Sequence, residues 1–212
     1  KDATVDVHGM PIFYWPYLSG DTSKSDIPLR RVRASNSRTY GPSIETDWNL
    51  LGLMGQQDLP RLRADLMLDY FGKRGPAGGI DSTWNKDDSH GMLRSYALLD
   101  QGTDRLGRDI TDLTPENESR GRLDIRHQQD LGDGWTLQLE GSYISDPTFL
   151  QQFFQDEYDT DKEHETSVYL KHQGDTDAIS LLGKFHLYAF TATAAQVDHQ
   201  YSTDKKPELK YW

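Results

Sequence analysis

Apolar and polar residues alternate through most of this chain in stretches of about ten, and Gly, Asp, Asn or Pro separates each stretch from the next. A period of two belongs to a strand whose two faces meet different surroundings; an amphipathic helix would need a period of 3.6. Ile44, Thr46, Trp48 and Leu50 fall on one side, and Glu45, Asp47 and Asn49 on the other. Leu62, Ala64, Leu66, Leu68 and Tyr70 make an apolar side against Arg61, Arg63, Asp65 and Asp69, with Met67 and Phe71 interrupting the polar side. Residues 122–129 and 135–145 read as a hairpin closed by Leu131-Gly132-Asp133-Gly134. Its second arm alternates Trp135, Leu137, Leu139 and Tyr143 with Thr136, Gln138, Glu140 and Ser142. Further strands are expected over 92–99, 166–172, 179–190 and 191–200. The fold class is all-β and antiparallel.

The first segment differs. Residues 3–7 alternate and run into Gly9-Met10-Pro11-Ile12-Phe13-Tyr14-Trp15-Pro16-Tyr17-Leu18. Pro11 and Pro16 have no donor N–H, so this run reads as an edge strand followed by a connector. Polar residues 19–25 suggest a boundary, dividing the chain into 1–20 and 21–212. Residues 72–79 read as a Gly/Pro turn, 100–119 as a long charged loop and 156–165 as an acidic loop. One helix is expected after Ser145-Asp146-Pro147-Thr148, with Asp146 as its cap, Pro147 in its first turn and Phe149, Leu150, Phe153 and Phe154 at helical spacing.

Hydrophobic residues make up only 35% of the chain, yet it holds 5 Trp, 11 Tyr and 7 Phe. Such a composition suits a membrane barrel with a wet interior and aromatic girdles. Strands of about nine to eleven residues are long enough to cross a bilayer when tilted. A soluble β-sandwich with polar loops is the alternative. No apolar run approaches the roughly 18 residues of a spanning helix, which excludes a helical membrane protein. A formal charge of -11 argues against nucleic acid. The absence of cysteine removes disulfides and thiolate metal sites. Opening at Lys1 and ending at Tyr211-Trp212, the chain reads as a piece of a longer polypeptide, with any targeting peptide upstream.

Catalytic and metal chemistry find little support. His8, His90, His127, His164, His172, His186 and His199 show no chelating spacing. The acidic run from Asp156 to Glu165 lacks the glycine of a calcium loop. Glu140 and Asp146 are the best-placed carboxylates for glycoside hydrolysis. A soluble carbohydrate-binding or carbohydrate-cleaving domain would use Trp84, Trp135 and Glu140. No nucleophile motif is present, and no metal, cofactor or catalytic residue is expected.

Read together, three motifs carry a resemblance. The run from Gly9 to Leu18 resembles the Gly-x-Pro-hydrophobic-aromatic-Tyr-x-Pro-Tyr segment of the LptD family, the organic-solvent-tolerance proteins. Leu66-Met67-Leu68-Asp69-Tyr70-Phe71 with the glycines behind it, and Ser145-Asp146-Pro147-Thr148-Phe149-Leu150, are similar to that family's segments in the same order. Pro207-Glu208-Leu209 resembles its later strand opening. The resemblance implies the end of a periplasmic β-jelly-roll followed by the first part of a transmembrane β-barrel in the outer membrane of a Gram-negative-type envelope. It implies transport of lipopolysaccharide to the outer leaflet without catalysis, aided by a plug lipoprotein of the LptE type and a periplasmic LptA-type bridge protein. It makes Pro28 and Pro42 lateral-gate seam residues, and Pro11, Tyr14, Pro16 and Tyr17 the hinge between jelly-roll and barrel. A porin-like channel is a further alternative.

Overall fold

A computed structural model describes residues 3–7, 10–15, 27–56, 59–106, 111–113, 115, 118–160, 165–185 and 205–212. Strands β1 (Ala3–Val7) and β2 (Met10–Trp15) pair antiparallel, with a register shift beside the Asp6–Pro11 pair. An irregular rung is where a residue lacking N–H is tolerated.

Ten strands make one antiparallel sheet. They are β3 (Leu29–Ser37), β4 (Gly41–Asn49), β5 (Leu62–Phe71), β6 (Gly75–Asn85), β7 (Ser89–Leu99), β10 (Ser119–Gly132), β11 (Trp135–Ile144), β12 (Thr166–Gln173), β13 (Ala178–Phe185) and β14 (Lys205–Tyr211). Each pairs with its neighbour in sequence, β10 following β7 after a small ribbon of β8 (Asp104–Leu106) and β9 (Thr111–Leu113). Three short helices complete the order: α1 (Leu50–Leu53), α2 (Phe149–Phe153) and α3 (Gln155–Thr160). Among the described residues the sheet is open, with β3 and β14 as its edges.

Residues paired across a ladder share a face, so the register sorts the side chains. One row runs Trp48, Leu66, Ile80, Ser95, Leu123, Tyr143, and another Leu137, Leu170, Leu181, Leu209. The other face carries rows such as Arg63, Thr83, Met92, Arg126, Glu140, Ser167, Lys184. The apolar face is the uncovered one: Leu68, Tyr70, Leu123, Tyr143, Val168 and Leu181 stand 43–57% exposed. The buried cluster of Tyr96, Ile144, Phe149 and Leu150 lies instead on the charged face, beneath α2. Met67 packs against that cluster and Phe71 against Phe153, which explains both interruptions of the polar pattern. A sandwich would cover the apolar rows with a second sheet; this sheet leaves much of them open, with Trp48 and Ala64 buried.

Several boundaries differ from expectation. Leu50 opens α1 rather than extending β4. The turn after β5 spans only Gly72–Arg74, and Gly75, Pro76, Gly78 and Gly79 belong to β6. Strand β7 begins at Ser89, and the charged loop after it contains the β8–β9 ribbon. The helix starts at Phe149, because the Asp146 carboxylate is held by Arg120 and Thr148 makes no side-chain cap. Part of the acidic loop is helix α3. The strand expected over 191–200 lies outside the described residues. The β10–β11 hairpin forms as read, with positive φ at Asp133 and Gly134, the geometry of a tight two-residue turn matched to strand twist.

Gly79 sits where β6 and β7 run close: a Cβ there would lie 2.0 Å from the Ser95 carbonyl oxygen. Gly79→Val in the full-length parent is therefore expected to destabilise the sheet by about 1–3 kcal/mol or more. Amide hydrogen exchange would show this as lost protection in β6 and β7, and wild-type protection would contradict it.

Candidate functional site

The connections after β7 and β11 lie at one end of the sheet and meet there in a buried charge cluster, while the β4–β5 connection that holds α1 lies at the other end. Arg74 ends the β5–β6 turn, Asp100 follows β7, Asp104 opens β8, Arg120 is the second residue of β10, and Asp146 and Thr148 follow β11. Arg74 Nη1 donates to both Asp100 carboxylate oxygens (3.1 and 2.9 Å) and to Asp104 Oδ1 (2.9 Å). Arg120 Nη1 donates to Asp100 at 2.6 Å and Asp104 at 2.8 Å. Its Nη2 reaches Asp104, Asp146 and the Thr148 hydroxyl at 2.8–2.9 Å, and its Nε reaches Asp146 Oδ2 at 2.9 Å. Both arginines are almost completely buried. The ring of Phe153 lies 5.3 Å from the Arg74 guanidinium and 5.5 Å from that of Arg120, a favourable placement for a cation over an aromatic face.

Helix α2 is thereby fixed on the charged face. The Tyr40 hydroxyl donates to the Gln152 carbonyl, and Gln152 Oε1 accepts from the Arg105 N–H at 2.8 Å. Glu157 of α3 pairs with Arg122 and lies 3.7 Å from Arg94. The Ser-Asp-Pro-Thr segment acquires a physical role: Asp146 and Thr148 tie the helical segment to Arg120. Burial pushes the Asp146 carboxyl up, but hydrogen bonds from Arg120 and Ser145 outweigh it and hold the group below the ordinary carboxylate range.

The cluster is structural chemistry rather than a catalytic pair, because every carboxylate in it is already bound to a guanidinium. Nor do the carbohydrate candidates converge. Trp84 and Trp135 lie on the apolar face, beside His127 (Nε1 to Nδ1, 3.2 Å) and His172 (ring centroids 4.7 Å apart). Glu140 is on the charged face, and Asp146 is committed to Arg120. Reading 100–119 as one charged loop missed the cluster; its balance of Arg and Asp beside the Ser-Asp-Pro motif was the available signal.

The apolar face has its own order. Trp84, His127, Trp135 and His172 lie at the end bearing the short β6–β7 and β10–β11 turns, while Tyr70, Tyr143 and Phe185 lie toward the other end. Trp135 and Tyr143 are eight residues apart on β11, about 26 Å along a strand at roughly 3.3 Å per residue. Tilted by roughly 40°, as barrel strands are, that length projects to about 20 Å across a bilayer, somewhat less than the roughly 25 Å band of an outer-membrane barrel.

At the β3 edge, Pro28 immediately precedes the strand, and its carbonyl accepts from Asn49 N at 2.5 Å. Pro42 lies in β4 opposite Asn36, and its carbonyl accepts from Gly72 N at 2.8 Å. A strand residue directs its N–H and C=O to the same neighbour, so the missing donor of Pro42 faces the β5 side rather than β3. Pro11 and Tyr14 lie in β2, Tyr14 opposite Thr4. Pro16 and Tyr17 lie outside the described residues.

An all-antiparallel sheet with one charged and one girdled apolar face has the build of a barrel wall. Comparison with known proteins gives that wall a relative. The chain is 28% identical over 158 residues to LPS-assembly protein LptD of Pasteurella multocida, covering 71% of this chain and 18% of that protein. It is 24% identical over 157 residues to LPS-assembly protein LptD of Actinobacillus pleuropneumoniae serotype 7 (71% and 18%), and 26% identical over 157 residues to that of Mannheimia succiniciproducens (73% and 18%). No family model matches. The chain is an LptD-like segment, spanning about 18% of the length of these relatives.

Removing the guanidinium of Arg120 would leave Asp146 without its counter-charge and Asp100 and Asp104 sharing Arg74 alone. Arg120→Met is expected to cost about 3–5 kcal/mol, the scale for breaking a buried ion pair from one side. Urea titration of the folded full-length parent would measure the loss, and a change below about 1 kcal/mol would show the cluster to be dispensable. The lowered Asp146 pKa fixes a sign as well. Its contribution is full above the ordinary carboxylate range and is lost as pH falls through the lowered folded value. Protection factors of the α2 amides, corrected for the intrinsic pH dependence of exchange, should thus fall on acidification, and Asp146→Asn should flatten that part of the pH dependence.

Proposed function

We propose that residues 21–212 form the N-terminal part of an outer-membrane barrel that delivers lipopolysaccharide from a periplasmic bridge to the outer leaflet. Residues 1–20 end a periplasmic β-jelly-roll and connect it to the barrel. The observation that carries this reading is the division of the sheet into an uncovered apolar face and a charged face bearing α2, together with the similarity to LPS-assembly proteins. Lipopolysaccharide joins a hydrophilic headgroup to acyl chains, and a wall of this kind offers each part a compatible surface. Nothing in this task requires bond chemistry, so the role is transport and assembly without catalysis.

Outer-membrane barrels turn their short connections to the periplasm and their longer loops outward. On that rule β3 starts at the periplasmic end, where a jelly-roll would deliver its cargo, and the Arg74–Arg120 cluster lies at the outer end. The lumen would take a plug lipoprotein of the LptE type, and the jelly-roll a bridge protein of the LptA type. Lateral release requires a weak seam. Pro28 at the start of β3 and Pro42 in β4 each lack one ladder donor, which lowers pairing strength near that edge. Pro11, Tyr14, Pro16 and Tyr17 form the hinge.

Fractionation of the full-length parent followed by a heat-modifiability gel tests the barrel. A heat-shifted band in the outer-membrane fraction is expected; a soluble, unshifted protein would end the reading. Within the assembled barrel, Leu68→Arg on the apolar face should cost about 2–4 kcal/mol in a vesicle unfolding titration. Thr83→Arg on the charged face should change stability by no more than about 0.5 kcal/mol. Replacing Pro28 and Pro42 together by Ala should strengthen strand pairing and slow lipopolysaccharide export. Stronger pairing with unchanged export would remove the seam role.

A further inference from the structure

Strand β3 carries Arg30, Arg31 and Arg33 and no acidic residue, in a chain whose formal charge is -11. Among the described residues it is also an edge of the sheet. The register shift between Leu29 and Arg31 adds one residue, Arg30, to the strand. A bulge of this kind can bring successive side chains to one face, and the ion pairs bear that out. Arg30 Nε lies 2.8 Å from Asp65, Arg31 Nε 2.7 Å from Asp47 and Arg33 Nη1 3.7 Å from Glu45, all partners on the charged face. Val32, between them, pairs with Thr46 on the apolar face and is 52% exposed.

These pairs differ in strength: Arg31 holds Asp47 through Nε at 2.7 Å and Nη2 at 3.3 Å, whereas Arg33 stands 3.7 Å from Glu45. Arg31 and Arg33 expose 51% and 59% of their side chains, and 3.7 Å is beyond hydrogen-bond reach for Arg33. Asp65 is shared with Arg63, whose Nε lies 2.7 Å from its second oxygen, so that carboxylate keeps a counter-charge if Arg30 turns away. Exposed pairs are weak and salt-screened, which lets a guanidinium exchange a carboxylate for another anion. Phosphate matches its planar fork of donors well.

We propose that Arg30, Arg31 and Arg33 form an anion-exchange ladder that takes the phosphate groups of a phosphorylated glycolipid, whose acyl chains lie across Val32 on the opposite face. This rests on the transport reading above and adds the residues that recognise the headgroup. Strand β3 presents both surfaces on alternate residues. Charges on an edge also deter pairing with other chains, but that role alone gives no preference for phosphate.

The test uses the full-length parent with its partners, carrying a photoreactive side chain in place of Ala34 on β3. Crosslinking is compared for lipopolysaccharide and for the same lipid after dephosphorylation, scoring only assembled, heat-modifiable barrel. Arg31→Gln with Arg33→Gln should lower crosslinking to the phosphorylated lipid at least fivefold and leave the dephosphorylated lipid nearly unchanged. Lysine at both positions should retain most of the signal. Asp47→Asn with Glu45→Gln should raise it, because the competing carboxylates are gone. If the arginine and the acid replacements lower crosslinking alike, and for both lipids, the pairs only hold β3 on β4 and the proposal is overturned. An unsubstituted barrel that crosslinks neither lipid would instead remove the transport reading itself.

Discussion

Register governs this molecule more than any single contact. A slip of one residue in the β5–β6 ladder would take Leu66 and Leu68 to the charged face and turn Asp65 and Asp69 outward. Because each strand is paired on the next, such an error would propagate through Trp48, Ile80 and Leu123. The close approaches at Gly79 and the tight Asp133-Gly134 turn hold the ladders in place. What results is a wall with two chemically distinct sides, and every functional argument starts from that division.

The charged side could not be left as an open row of polar groups at its loop end, where Tyr96, Met67 and Phe71 interrupt it. Helix α2 covers them with Phe149, Phe153 and Phe154. Five residues, Phe-Leu-Gln-Gln-Phe, make too short a helix to dock on packing alone. Its attachment is ionic: Arg120 grips Asp146 and Thr148 on one side and Asp100 and Asp104 on the other, joining three chain segments. Burial of this network makes it sensitive to loss of any one member.

The period-two pattern made the strands and their faces legible because alternation is local. Leu62 to Tyr70 could be assigned to one face from sequence alone, and the β10–β11 hairpin from its Asp-Gly turn. The same locality hid the charge cluster. Arg74, Asp100, Asp104, Arg120 and Asp146 meet only through the β6–β7–β10–β11 order, and nothing in the spacing of Asp100 and Arg120 declares that both are buried. Met67 and Phe71 looked like errors in a pattern when they were the landing site of a helix. The glycines after Phe71 suggested a turn, since their strand role depends on a neighbour, Ser95, sixteen residues beyond Gly79.

In a closed barrel no edge exists, and a lipid cannot leave the lumen sideways without breaking a ladder. A wall built for release needs one ladder weaker than the rest. The two prolines near the β3 edge face different ladders: the carbonyl of Pro28 is bonded from β4 and that of Pro42 from the β5 side, so each missing donor falls on a different neighbour. Arg31 and Arg33 pair with Asp47 and Glu45 on β4, within the same hairpin, whereas Arg30 reaches Asp65 on β5, so drawing the hairpin away from β5 would break the Arg30 pair and leave the other two in place.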